Sequence, residues 1–163
     1  MSLKTAAVLC ALAMALAGCS RGAPDLLDAI APTSGMAFDE EAAAAAVSRY
    51  RAKHGLGPVV IDPRLIRAAS LQAASNARIG RLSHESGGTF GGRMAAAGFA
   101  KGYTAENLSA GSENFDQVLD RWKASPQHNR NMLIPQMTRV GMASVDAPGT
   151  RYKRYWALVL ASD

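Results

Sequence analysis

At 163 residues with 48% apolar content, the chain is long enough for one domain with a single buried core. Its 18 Lys and Arg against 13 Asp and Glu give a formal charge of +5, spread along the chain without interleaved aromatics. That pattern excludes nucleic acid as a partner and leaves weak attraction to anionic lipid or cell-wall polymer. The two cysteines, Cys10 and Cys19, both lie near the N-terminus, which excludes a disulfide framework, a thiol nucleophile and a cysteine-based zinc site from the rest.

Lys4 precedes an apolar run, Ala6–Ala17, that is too short to span a bilayer and reads as a secretory signal. The run closes on Leu16-Ala17-Gly18-Cys19, which resembles a bacterial lipobox. The resemblance implies cleavage after residue 18, a thioether-linked diacylglycerol on Cys19 and acylation of the new amine. Two or more acyl chains hold a protein stably on a membrane where one does not. Ser20, in place of an aspartate, implies the periplasmic side of the outer membrane if the cell is Gram-negative. Residues 19–37, with Pro24, Pro32 and small polar residues, read as a tether. The domain itself is expected over residues 38–163.

Asp39 is a suitable N-cap, with Glu40 and Glu41 in the first turn of a helix dipole. Ala43, Ala46, Val47 and Tyr50 then share one helical face, and Gly55 and Gly57 stop the helix. Asp62-Pro63 pairs a cap with proline at the first helical position, launching a helix to about Ile79 that points Leu65, Ala69 and Ala73 inward. The glycines at 87, 88, 91 and 92 read as a loop without the Lys-Ser/Thr of a phosphate-binding loop. Thr89 and Phe90 are expected there as a mobile rim, followed by a short helix from Arg93 to Ala97. Ser112 is the expected cap of a long helix burying Phe115, Val118, Leu119 and Trp122, and Ser125-Pro126 starts a short helix through Leu133. Strands are expected at Ala105–Ala110, Arg139–Val145 and Tyr152–Leu160, the last two joined by the turn residues Asp146-Ala147-Pro148-Gly149. Helices first and paired strands last indicate an α+β fold.

Four segments carry a family resemblance. They are Tyr50-Arg51-Ala52-Lys53-His54-Gly55-Leu56 with Asp62-Pro63-Arg64-Leu65, then Leu82-Ser83-His84, then Ala105-Glu106-Asn107-Leu108. The last is Trp122 with Ser125-Pro126-Gln127-His128-Asn129-Arg130-Asn131-Met132-Leu133, followed by Arg139-Val140-Gly141. Each is weak alone, but in this order and spacing they resemble the CAP superfamily (cysteine-rich secretory protein, antigen 5, pathogenesis-related 1) in its bacterial cysteine-poor branch. The resemblance spans about residues 40–160. It implies an α-β-α sandwich with a central, mainly antiparallel sheet and a cleft holding two histidines and two glutamates. Matched position by position, His84, Glu106 and His128 take three of those places. Gln117 stands where the family's second glutamate usually lies, five residues before the helix tryptophan. A carboxamide carries no charge and cannot abstract a proton, so a strong metal site and an acid–base carboxylate pair are both weakened.

The resemblance implies a divalent cation such as Zn2+, with His84 and His128 as its ligands. Two neutral imidazoles and a Glu106 oxygen would leave an open coordination position, as catalytic zinc sites do. Glu106 beside a metal or a water could instead act as a base, or could only pair with a nearby arginine. Asn107 and Asn131 read as structural hydrogen-bonding groups, and His54 as a helix C-terminal cation. Two functions follow from these residues. One is an envelope-anchored, non-catalytic module binding a lipid or cell-wall fragment at the His84, Glu106, Gln117 and His128 cleft, with the membrane engaged through Cys19. The other is a metal-dependent hydrolase with Glu106 as base.

Overall fold

A computed structural model describes residues 38–163. The signal at 1–18, the tether at 19–37 and the lipidation at Cys19 lie outside the described residues. In chain order the elements are α1 (Glu40–Ala52), β1 (Val60–Ile61), α2 (Pro63–Ile79), α3 (Phe90–Ala96), β2 (Thr104–Ala110), α4 (Phe115–Ala124), α5 (Pro126–Met132), β3 (Arg139–Ala147) and β4 (Lys153–Ala161). The strands form one sheet in the order β1-β3-β4-β2, with β1 parallel to β3 and the other pairs antiparallel.

Period-two alternation along β4 divides the core into two layers. Trp156, Leu158 and Leu160 pack with residues of α1, α4 and α5. Ala157, Val159 and Ala161 pack with residues of α2 and α3. The fold is therefore α+β, an α-β-α sandwich on a mainly antiparallel sheet, as the sequence indicates. The two layers differ in texture. Beneath α2 the contacts are small, with Ala68, Ala69, Ala73, Ala143 and Ala157 meeting one another. A Cβ built on Gly141 would lie 2.1 Å from the backbone of Leu65, so only glycine lets α2 lie this close to β3. The opposite layer is aromatic, with Phe38 5.3 Å and Phe115 6.3 Å from Trp156 between ring centroids.

Local capping explains most helix starts. Asp39 accepts from the Ala42 N–H at 2.8 Å, and Asp62 accepts from the Arg64 N–H at 2.8 Å with Pro63 at the first position. Gly80, at φ 69°, ends α2 in the left-handed region that glycine adopts at least cost. Two starts differ from expectation, and a third lacks its expected cap bond. Ser112 does not cap α4; Asn114 does, accepting from the Gln117 N–H at 3.1 Å. The Ser112 carbonyl instead accepts from the buried Trp156 Nε1 at 2.9 Å, which fixes Ser112 ahead of the helix. Helix α3 begins at Phe90 because Thr89 caps it, its hydroxyl accepting from the Gly92 N–H. Thr89 and Phe90 are thus a helix start rather than the rim of a loop that low-propensity Gly91 and Gly92 suggest. Helix α5 begins at Pro126 as expected, but Ser125 makes no side-chain cap bond. Strand β1, two residues long, carries no alternation to reveal it and is set by pairing with Arg139 and Val140.

Strand β2 lies at the sheet edge, and its outward carbonyls are taken by side chains. Asn131 Nδ2 donates to the Glu106 carbonyl at 3.2 Å, Trp122 Nε1 to that of Leu108 at 3.2 Å, and Arg121 Nη1 to that of Ala110 at 3.3 Å. Helices α4 and α5 thereby supply donors that a fifth strand would otherwise supply, closing an edge prone to pairing. The same bonds draw α5, which carries His128, against Glu106.

Candidate functional site

The site forms around the open edge of β2, where neighbouring residues point to opposite layers. Glu106 shares the face of Leu108, toward α2 and α3, whereas Asn107 faces α5. His84 lies in the connection between α2 and α3. Gln72 and Asn76, four residues apart on α2 and both fully buried, hold that connection. Gln72 Nε2 donates to the Ser83 carbonyl and, at 3.2 Å, to Ser86 Oγ. Asn76 Oδ1 accepts from the Ser83 N–H at 3.0 Å and from Ser86 Oγ at 2.8 Å.

Held in this way, His84 Nδ1 lies 2.7 Å from Glu106 Oε1. Facing a carboxylate oxygen, Nδ1 carries the hydrogen, which leaves Nε2 as the open nitrogen. The ring is half exposed while the Glu106 side chain is buried, at 53% and 2% accessibility. The other carboxylate oxygen, Oε2, is 2.5 Å from Nη2 of Arg93, a buried guanidinium on α3. Arg93 Nη1 also donates to the His84 carbonyl at 2.9 Å and to the Gly88 carbonyl. Both oxygens of Glu106 are thus engaged by cationic or hydrogen-bearing partners.

His128 reaches the site from α5. Its carbonyl accepts from Asn107 Nδ2 at 2.9 Å, and Asn131 Nδ2 donates to Asn107 Oδ1 at 2.9 Å. The two asparagines are structural, as their sequence setting suggests. From α1, Tyr50 donates to Asn129 Oδ1 at 2.7 Å. The fully buried Arg51 donates to the carbonyls of Met132, Ile134 and Met137 at 2.7, 2.9 and 2.9 Å, and to that of Gly57 at 2.9 Å. Helix α5 is therefore anchored along its length. The hydrogen bond to Glu106 raises the His84 pKa above its usual 6.5 despite the opposing effect of burial. Burial lowers the His128 pKa, and the charge on His84 lowers it further. The two imidazole pKa values are thus pushed in opposite directions.

The structure thus brings His84 into contact with Glu106 and sets His128 within electrostatic reach of His84. Gln117 takes a different part. It is exposed in the first turn of α4, and its Oε1 accepts from the Glu113 N–H at 3.0 Å while its own N–H is capped by Asn114. His54 is exposed and lies against Tyr50, 4.8 Å between ring centroids. Beyond the two imidazoles, the residues present do not offer a divalent cation a third ligand. Both Glu106 oxygens already face His84 and Arg93, Gln117 Oε1 accepts from the Glu113 N–H, and no group of three or more His, Cys, Asp or Glu forms a metal-holding cluster among the described residues. Arg93 is the site residue that sequence reasoning missed. It is the sole charged residue from Thr89 to Phe99, a lone cation in an apolar and glycine-rich stretch, and that isolation signals a distant partner.

The sequence pattern of the Cysteine-rich secretory protein family, CAP, matches residues 44–160. The chain belongs to the CAP family. Among CAP relatives, the uncharacterized protein YkwD of Bacillus subtilis is 28% identical over 120 residues, covering 72% of this chain and 46% of YkwD. The chain thus spans about half the length of that relative. Two solved structures share the CAP fold. An outer surface protein from Borrelia burgdorferi superposes with TM-score 0.66 at 20% identity, covering 75% of this chain and 90% of its own. An extracellular protein containing a SCP domain from Bacillus anthracis also superposes with TM-score 0.66 at 20% identity, covering 76% and 40%. No helix among the described residues is long and apolar enough to cross a membrane.

Proposed function

We propose that this CAP protein is an envelope-anchored, non-catalytic binding module that holds a polar cell-wall fragment against His84 and His128. The observation that carries the reading is the double engagement of Glu106, whose oxygens face His84 and Arg93. A general base must reach its substrate, and a carboxylate that is 2% accessible with both oxygens facing protein partners does not. The same engagement counts against a metal-dependent hydrolase with Glu106 as base. The polar make-up of the site, with two imidazoles and the asparagines Asn107 and Asn131 behind them, favours a ligand rich in hydroxyl and amide groups over an acyl chain.

Placement outside the cytoplasmic membrane is supported by the signal and lipobox at residues 1–19, and by structural neighbours described as outer surface and extracellular proteins. Lipid on Cys19 would hold the domain at the membrane through the 19–37 tether. Replacing Cys19 by Ala is expected to move the protein from the membrane fraction to the soluble one with thermal unfolding unchanged. Persistence in the membrane fraction would overturn the anchor. Calorimetric titration of that soluble protein with muropeptides is expected to show saturable binding that His84→Ala and His128→Ala both weaken. Cleavage of the muropeptides would overturn the non-catalytic reading, and failure of any to bind would overturn the ligand class.

A further inference from the structure

Arg93 does more at this site than pair a charge. Its side chain is 4% accessible, the Glu106 side chain is 2% accessible, and their closest approach is 2.5 Å. A buried guanidinium and a buried carboxylate each lose several kcal/mol of hydration, which is recovered only when they face each other with further hydrogen bonds. Arg93 makes those further bonds to the carbonyls of His84 and Gly88, at both ends of the turn that carries His84. One guanidinium therefore neutralises the carboxylate and sets the backbone of the histidine beside it. Its planar, forked donors suit three acceptors in different directions, which a lysine ammonium matches less well.

We propose that Arg93 is the internal cation of this site, holding the Glu106 oxygen that a divalent metal would need as a third ligand beside the two imidazoles and positioning His84, so that the site works without metal. A metal entering at Glu106 would have to displace Arg93, whose Nε already lacks a partner, and would strand a guanidinium in a buried setting. The isolation of Arg93 in its own segment agrees with this role, because Thr89–Phe99 offers it no local counterion. The inference deepens the reading of the site as a binding face and rests on it. A ligand there meets two imidazoles through hydrogen-bonding groups, with no bridging cation between them.

The test is a zinc titration of the full-length Cys19→Ala protein, followed by calorimetry and by the ring resonances of His84 and His128. The protein with Arg93 present is expected to show no saturable zinc uptake at these rings. Arg93→Met frees the carboxylate and is expected to tighten zinc binding at least about tenfold, or 1.4 kcal/mol. Arg93→Lys keeps the charge and is expected to behave as the parent does. Zinc uptake by the parent that Glu106→Gln abolishes would overturn the proposal, as would an Arg93→Met protein that binds zinc no tighter than the parent. If Arg93→Met fails to fold, parent against Glu106→Gln decides, with equal zinc behaviour supporting and a difference overturning. Muropeptide binding unchanged by EDTA supports metal-free recognition, and its loss on chelation overturns it. Since the zinc arms contain no muropeptide, they stay decisive even if the proposed ligand class is wrong.

Discussion

Arg51 and Arg93 are both buried guanidiniums, one in each layer of the sandwich, and they are satisfied in opposite ways. Arg51, on the α1 side, faces carbonyl oxygens of the 57 and 132–137 segments and no carboxylate. Burial without a counterion pulls its pKa below the usual arginine range. Arg93, on the α2 side, is tied to Glu106 and through it to His84. The first arrangement joins chain segments by dipoles that do not titrate, so it is scaffold. The second couples a structural cation to groups that exchange protons, so it belongs to the site.

The largest expected effect comes from Arg51→Met, which strands at least four carbonyls. A loss of about 3–5 kcal/mol in urea unfolding is expected, equal at pH 5 and pH 8. Arg51→Lys should recover only part of it, because an ammonium cannot span acceptors placed for a fork. Arg93→Met should cost about 3 kcal/mol at neutral pH, and less on acidification, because the Arg93 charge opposes protonation of His84 and its removal lifts that opposition. A loss as flat with pH as that of Arg51→Met would erase the contrast between the two arginines. Asn131→Ala removes donors from Asn107 and from the Glu106 carbonyl, and about 1–2 kcal/mol is expected. Faster amide exchange along β2 and a shifted His128 resonance would accompany it.

The smallest effect is electrostatic and has opposite signs for the two histidines. The raised His84 pKa means its stabilising contribution is complete below about pH 6.5 and is lost as pH rises through the folded value. The lowered His128 pKa means its contribution is present above about pH 6.5 and is lost as pH falls through the folded value. Stability of the parent relative to His84→Asn should therefore be greater at pH 5 than at pH 8. Relative to His128→Asn it should be greater at pH 8. The same sign for both would break the opposite shifts of the two imidazoles.

Much of this architecture is legible in the chain wherever the physics is short in range. Asp39 and Asp62 as caps, Gly80 as a stop and the alternation through Tyr155–Leu160 all act within a few residues. The turn expected at 146–149 instead shifts to 148–152, because Asp146 and Ala147 pair with Arg154 and Lys153. The buried Leu65, Ala69, Ala73, Val118 and Trp122 follow from helical period alone, and their spacing needs no knowledge of the partner layer. For the site, motif order points to His84, Glu106 and His128, and the fold brings the first two within hydrogen-bond distance. Motif position also suggests Gln117, whose Oε1 accepts from the Glu113 N–H at the start of α4.

What the linear chain withheld was the counterion and the clamps. Arg93 meets a carboxylate thirteen residues away on another element, and Arg51 meets carbonyls more than eighty residues away. Neither partnership leaves a periodic trace, because a charge's energy depends on what surrounds it in space. Composition, caps and hydrophobic period were enough to choose helices, strands and layers. Only the assembled sandwich, by taking water away from two guanidiniums, decided which acceptors each must find.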